Sequence, residues 1–314
     1  MVYTAPLVLE VQEVEEPTPG PGEAVIEVRS AGICGSEREG FHSQSPFRVP
    51  PLIMGHEFAG VRVDTGESVV VNPLVSCGSC DLCLRGERNL CRSRQIVGIH
   101  RPGAFAQRVV VPTENIYAMP QGMSFDKAAL VEPMANAVHA YRLAQAHDPL
   151  PRRVGVIGAG MLGMAVTITA LRFGAREVFV SDLSSDRLTQ AESIGAVPMQ
   201  GGLEGEFDLI FDAVGTDRTR SDSVGLLRPG GTTIWIGLHG EEAGFDGLGL
   251  IRGEKNIRGT FCYHDRDFRA AIDLAEQFDD GWVASFPLDR GPDVFTGRAD
   301  IPAASVKQIL RPAS

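Results

Sequence analysis

The sequence predicts an α/β protein built on a doubly wound parallel sheet. Three observations predict it: a glycine-rich turn between an apolar strand and an apolar helix, an acidic residue closing the next strand, and further strand-then-turn repeats. "RRVGVIGAGMLGMAV" reads as a short β-branched strand, Val154 to Ile157, running into a turn and a helix. Gly158, Gly160 and Gly163 form G-x-G-x-x-G. The first permits the tight turn, the second lets backbone approach a pyrophosphate, and the third lets the helix pack on its strand; the helix N-terminus supplies partial positive charge for the anion.

A second strand, "REVFVSD", ends at Asp182, 19 residues past Gly163. A carboxylate there accepts hydrogen bonds from a ribose 2′-OH and repels a 2′-phosphate, which favours NAD over NADP. The competing reading makes Asp182 part of a helix start, because Ser184, Ser185 and Asp186 follow and any of them suits an N-cap. "FDLIFDAVG" (207–215) and "GGTTIWIGL" (230–238) continue the pattern. Ligands of such sheets sit at the carboxyl ends of strands, which places Ala213, Val214, Gly215, Gly237 and Leu238 beside the dinucleotide.

The chain has 314 residues, enough for about two domains, and 29 Lys+Arg against 40 Asp+Glu give a net charge of −11. An acidic chain without a basic block is a poor match for nucleic acid or anionic membranes, so a small soluble ligand is expected. The start "MVYTAPLVLEVQEVEEPTPG" shows neither a basic leader nor a long apolar run, and the expected location is the cytoplasm.

Four of the six cysteines fall in "CGSCDLCLRGERNLC" (77–91). In a reducing compartment that cluster reads as a metal site rather than a disulfide set. Cys77, Cys80, Cys83 and Cys91 suit a tetrahedral zinc site, and four thiolates leave no position for substrate, so its role is structural. The chemistry is sought elsewhere, in "AGICGSE" with Cys34 and "IMGHEFAG" with His56 and Glu57. One thiolate, one imidazole and one carboxylate make an open zinc site with a fourth position for substrate. Taken singly, Cys34 is equally a small buried residue and His56-Glu57 an ordinary polar pair. Cys262 reads as a buried small residue.

These motifs in this order resemble the zinc-containing branch of the medium-chain dehydrogenase/reductase superfamily. "GICGSE", "GHEFAG", the four-cysteine lobe, "RPGAFAQ", "VEPMANAVH", "GAGMLG", "VSDLSSDRL", "FDAVG" and "LRPGGTTIWIGL" carry the resemblance over nearly the whole chain. It implies a GroES-like β-rich catalytic domain (1–127, with the structural zinc lobe 77–91), a Rossmann NAD-binding domain (128–263) and a C-terminal return to the catalytic domain (264–314), with substrate in the cleft between them.

The resemblance further implies that Cys34, His56 and one or both of Glu57 and Glu132 surround a catalytic zinc. Ser36 matches the hydroxyl that binds the substrate oxygen and starts proton release. Met161, Leu162 and Arg187 join the cofactor-binding set. Two zinc ions and NAD are implied, as is a homodimer or homotetramer, often built by extending the nucleotide-domain sheet through strands like "GGTTIWIGL". The implied reaction is hydride transfer between NAD and a secondary alcohol: a polyol, sugar alcohol, cyclitol or amino alcohol. Rival readings are an NADPH-dependent carbonyl reductase and a non-catalytic zinc- and nucleotide-binding relative.

The family's commoner C-G-[ST]-D-x-H appears here with Glu37 and Glu39 at its last two named positions, which alters the proton route and substrate contacts. Phe41 and Phe47 read as substrate-side or core residues, and Arg38, Glu39 and His42 as substrate contacts or a solvated loop.

Overall fold

Alternating apolar and polar residues in "EAVIEVRSAG" form a strand buried on one face, β1 (Glu23–Gly32), with Ala24, Ile26, Val28 and Ser30 inward. Helix α1 (Gly35–Ser43) follows at once, its first turn accepted by the Cys34 carbonyl. Strands β2 (Glu57–Arg62), β3 (Ser68–Val71), β4 (Arg108–Pro112) and β5 (Ile116–Ala118) complete the first run. This is a computed structural model that describes residues 1–43, 47–148, 151–240 and 242–313.

Helix α2 (Val131–Gln145) then leads to the glycine-rich region. There β6 (Arg153–Ile157), α3 (Met161–Arg172), β7 (Glu177–Asp182), α4 (Ser185–Ser193), β8 (Val197–Gln200), β9 (Phe207–Asp212), α5 (Asp217–Gly225), β10 (Leu227–Trp235) and β11 (Asn256–Gly259) alternate. Helix α6 (Asp265–Ala275) and strands β12 (Val283–Pro287) and β13 (Lys307–Arg311) end the described chain.

Two compact units result, Met1–Glu132 with Ala271–Ser314, and Pro133–Ala270. In the first, strands run in the order β12-β13-β1-β2-β3-β5, with β4 also pairing β1. Its core joins Ile26, Val28, Phe58, Val69, Val71, Val109, Val111 and Leu310. The C-terminal strand β13 therefore completes a sheet begun by the N-terminal part, and Asp126 fastens it by accepting from Ser30 (2.5 Å), Ser285 (2.8 Å) and the Arg311 guanidinium.

In the second unit six parallel strands run β8-β7-β6-β9-β10-β11. The near-continuous apolar burial of β6, β7 and β9 is that of strands covered on both faces. The order reverses between β6 and β9, the switch point where such sheets bind nucleotides. "GGTTIWIGL" supplies β10, which lies inside the sheet between β9 and β11; the edge strands are β8 and β11. Extension of this sheet through "GGTTIWIGL" is therefore corrected, because both of its sides are already hydrogen-bonded. Among the described residues no helix is long and apolar enough to cross a membrane.

Candidate functional site

The antiparallel register of β1 and β2 sets Gly32 opposite Glu57. That pairing brings Cys34, two residues past the end of β1, and His56, immediately before β2, into one place. Ligand atoms of Cys34, His56 and Glu57 lie within 4.8 Å of one another. His56 and Glu57 are buried, whereas Cys34 is partly open, so the cluster has an accessible side. Glu132, in the first turn of α2, is buried and stands outside this three-residue cluster.

Each ligand candidate has a buried partner. Glu37 is wholly buried and accepts from the Cys34 amide (3.0 Å), the Gly55 amide (2.9 Å) and His56 Nδ1 (2.9 Å). Burial works against the Glu37 charge, but His56, Arg48 and the Cys34 amide outweigh it and hold its pKa below the ordinary value. Burial likewise opposes charge on His56, and Glu37 and Cys34 outweigh it, keeping the metal-free imidazole well above its usual pKa. An ion would displace that proton, leaving Nδ1–H on Glu37 and the other nitrogen for the metal. Glu37, which from the sequence only altered a family pattern, is thus the carboxylate that fixes the His56 tautomer.

Glu57 is paired with the Lys307 ammonium, also buried. Burial would lower the Lys307 pKa, yet Glu57 and Cys34 raise it above the ordinary lysine value. Lys307 escaped the sequence reading; the available signal was a lysine at the inward register of "KQILR", in phase with Ile309. Ser36 donates to Cys34 Sγ (3.3 Å) and accepts from Arg48 Nη2 (3.0 Å). A thiol, an imidazole and a carboxylate with a hydroxyl beside them fit zinc with one position left for substrate.

The second cluster is self-contained. Sγ separations are 3.5 Å for Cys77–Cys91 and Cys80–Cys83, and 3.9 Å for Cys77–Cys83 and Cys80–Cys91. Ligands at ~2.3 Å on a tetrahedral zinc lie about 3.8 Å apart, so the four sulfurs already stand at ligand spacing and far beyond bonding distance of one another. Amides of Ser79 and Cys80 bring the Cys77 thiol down to about 6, while burial pushes Cys83 up to about 11.

A third group, His139, His264 and Asp267, is equally tight. Here Asp267 already accepts from His139 Nδ1 (2.8 Å), the His264 amide (3.0 Å) and the Arg142 guanidinium. A guanidinium on the same carboxylate opposes a cation, so this group ties α2 to α6.

In the second unit Gly158 adopts φ +93° after β6, and a Cβ on Gly163 would stand 1.7 Å from the Gly158 carbonyl. Both positions require glycine. Gly160 is the N-cap of α3, with open space where its side chain would be, and the half-exposed Met161 and Leu162 form the first helical residues. Asp182 Oδ2 accepts from the Ala159 amide (2.7 Å), and Oδ1 from the Ser184 amide (2.8 Å). The cap of α4 is Ser184, which accepts from the Arg187 amide; Asp182 stays aimed at the glycine turn.

Arg187 is half-buried, with an Nε that no described group meets. Ala213, Val214 and Gly215 follow β9, where Asp212, unremarked in the sequence reading, accepts from the Val214 and Gly215 amides (3.0 and 2.9 Å). Burial raises the Asp212 pKa. Gly237 lies against the Val214–Gly215 backbone and Leu238 is exposed. Gly158, Gly163, Asp182 and Val214–Gly215 thus meet at the carboxyl ends of β6, β7 and β9, an open cradle suited to a dinucleotide.

Other expectations separate. Phe41 is core, edge-on to Tyr3 and Phe295, whereas Phe47 is exposed. Arg38 donates to the Val294 carbonyl and the Gln308 side chain. Cys262 is half-buried, correcting its reading as a buried small residue; it sits at a bend in the chain with φ +50°.

Residues 20–121 match the alcohol dehydrogenase GroES-like domain, and 162–277 match the zinc-binding dehydrogenase family. The chain is 31% identical to the L-threonine 3-dehydrogenase of Streptomyces coelicolor, over 91% of this chain and 87% of that protein. It belongs to the zinc-binding medium-chain dehydrogenases. This dehydrogenase is also 30% identical to an L-galactonate-5-dehydrogenase of Escherichia coli, over 85% of this chain and 84% of that one. A zinc-binding dehydrogenase from Sinorhizobium meliloti, solved bound to NADP, superposes with a TM-score of 0.90 at 28% identity, covering 99% of this chain and 98% of that one. The dehydrogenase is thus an enzyme of alcohol–carbonyl redox chemistry, acting on a small molecule with zinc and a nicotinamide dinucleotide.

Proposed function

We propose that this dehydrogenase oxidises a secondary alcohol with NAD+, or reduces the matching ketone, at Cys34, His56, Glu57 and Ser36. The observation that carries the reading is the partly open cluster of three ligands with the Ser36 hydroxyl on Cys34 Sγ. In this reading the unit containing β1 to β5 is catalytic, that containing β6 to β11 binds the dinucleotide, and Cys77, Cys80, Cys83 and Cys91 hold a second, structural zinc. Zinc, when bound, acidifies the substrate hydroxyl, and the nicotinamide accepts the hydride.

The chain's own groups do the rest. Cys34 and His56 fix the ion, and Glu37 keeps His56 in the ligating tautomer. Glu57 completes the set or remains on Lys307, while Glu132 is a reserve carboxylate. Ser36 Oγ accepts the hydroxyl proton and passes its own proton outward to solvent as hydride leaves the carbinol carbon, so one alcohol and NAD+ yield one ketone, NADH and a proton. Asp182 accepts from the ribose 2′-OH and repels a 2′-phosphate, Arg187 faces the same nucleotide, and the α3 N-terminus receives the pyrophosphate. The enzyme is read as a cytoplasmic homo-oligomer, and β11 is the sheet edge suited to joining two copies.

The test is initial rates with NAD+ and NADP+ over secondary alcohols. kcat/KM for NAD+ should exceed that for NADP+ by about 100-fold, the two to three kcal/mol that a repelled phosphate costs. Equal rates with the two cofactors would overturn the Asp182 assignment; no turnover of any secondary alcohol or ketone would overturn the reaction.

A further inference from the structure

Arg48 is the one buried guanidinium at the open cluster, and nothing in the reaction above uses it. Its residue is only 6% exposed, although its neighbours Phe47 and Val49 are exposed. The side chain turns inward across Gly40, where a Cβ would stand 2.9 Å from Arg48 Cδ. At its end Nη2 donates to Ser36 Oγ (3.0 Å), and Ser36 is half-open. Among the described residues that is its single hydrogen bond, and its Nε is buried with no partner.

Glu37, the carboxylate that feels the Arg48 charge, accepts from two amides and His56, and among the described residues no salt bridge joins it to Arg48. Glu37 and His100 are the titratable groups that feel the Arg48 charge. A buried cation with one neutral hydrogen bond and an orphaned donor is costly unless something else meets it. Five N–H groups in a planar fork suit a planar carboxylate, and only one of them is occupied by Ser36.

We propose that the substrate is a hydroxy acid whose carboxylate is received by Arg48. This rests on the reading of Cys34 and Ser36 as the reacting site. The reacting oxygen and the guanidinium share Ser36 Oγ as neighbour, each within about 3 Å of it. The carboxylate therefore sits one or two carbons from the carbinol. A polyol lacking that charge leaves Arg48 unpaired. Arg48 also donates into one lone pair of Ser36, whose own proton lies on Cys34 Sγ.

The experiment compares matched compounds on the zinc-loaded enzyme: 3-hydroxybutyrate, its neutral counterpart 1,3-butanediol, and 3-hydroxybutyl phosphate. Binding of the non-oxidisable 3-hydroxy-3-methylbutyrate and of neutral 3-methyl-1,3-butanediol is measured in parallel by calorimetry. The wild type should prefer the acid to the diol in kcat/KM by about 30-fold, mostly through KM, as a charge-assisted hydrogen bond implies. Arg48→Gln should bring that ratio to about one, and Arg48→Lys should restore part of it.

A wild-type ratio near one overturns the proposal without recourse to any variant. So does an unchanged ratio in Arg48→Gln with both rates lowered, which would make Arg48 a support for Ser36 alone. Preference for the phosphate ester overturns the carboxylate in favour of a phosphate. If none of these three compounds is oxidised, the binding pair decides. Tighter binding of the tertiary acid than of the tertiary diol by about 10-fold, lost in Arg48→Gln, upholds the site; equal binding removes it.

Discussion

The two cysteine-containing clusters of this dehydrogenase are built in opposite ways. In the Cys77–Cys91 lobe four thiols come from fifteen consecutive residues, and their sulfurs stand 3.5–3.9 Å apart. At Cys34, His56 and Glu57 the groups are of three kinds and come from two segments, and buried groups stand beyond them: Glu37 behind His56, Lys307 behind Glu57, and Arg48 behind the neighbouring Ser36. A closed site needs only loop geometry, whereas an open one must hold an incomplete shell against collapse, and the fold supplies that hold through second partners.

The sharpest way to break this contrast is to remove one ligand from each cluster. Cys34→Ser should lose NAD+-linked turnover by about 1,000-fold or more, since several kcal/mol of charge stabilisation go with the ion, while zinc per chain falls from two to one. A turnover loss with both ions retained would show that Cys34 is not a ligand. Cys83→Ser should also lose one ion, but here the thermal midpoint falls by roughly 6–12 °C, the shift expected from about 3 kcal/mol in a unit of this size. Turnover at low temperature should survive in that variant.

A smaller effect separates ligand from support. Glu37→Gln should weaken zinc affinity and turnover by about 10–100-fold, the range of lost partners to a ligating imidazole. Glu37→Asp should recover part of it, because the shorter carboxylate still accepts from Nδ1. Full activity in Glu37→Gln would detach Glu37 from the site.

The smallest effect probes how far the open cluster depends on the C-terminal strand. Asp126 ties β13, which carries Lys307, to β1. Burial raises its pKa, but Arg311, Ser30 and Ser285 lower it further, and the net shift is downward from 3.8. A depressed carboxylate stabilises the folded state above its unfolded pKa and loses that contribution as pH falls through the folded value. Asp126→Asn should therefore be less stable by about 1–2 kcal/mol near neutral pH. In urea titrations the two proteins should converge in acid below the ordinary aspartate range. A gap that persists there would mean packing rather than charge.

Legibility in the sequence followed the range of the interactions. G-x-G-x-x-G and Asp182 were readable because glycine at φ +93° and a glycine closed upon at 1.7 Å allow no substitute, and a strand end is set by its own residues. The cysteine lobe was readable from spacing. Glu37 was visible only as a departure from a pattern, since nothing local says that its carboxylate reaches His56, 19 residues on. Lys307 and Arg48 gave weaker signals still: a lysine in phase with apolar strand positions, and an arginine between two exposed hydrophobics.

The sequence by itself determined the alternating strand and helix order, the doubly wound sheet and which residues form the two cysteine-containing clusters, because periodicity, glycine chemistry and residue spacing act over a few residues. Only the tertiary structure decided which groups stand behind the ligands. Pairing of β1 with β2 and the return of β13 carry Glu57 and Lys307 together across 250 residues. Burying charges in that space is tolerated only where opposite charges or hydrogen bonds arrive from elsewhere in the chain, and where they arrive is a property of the fold.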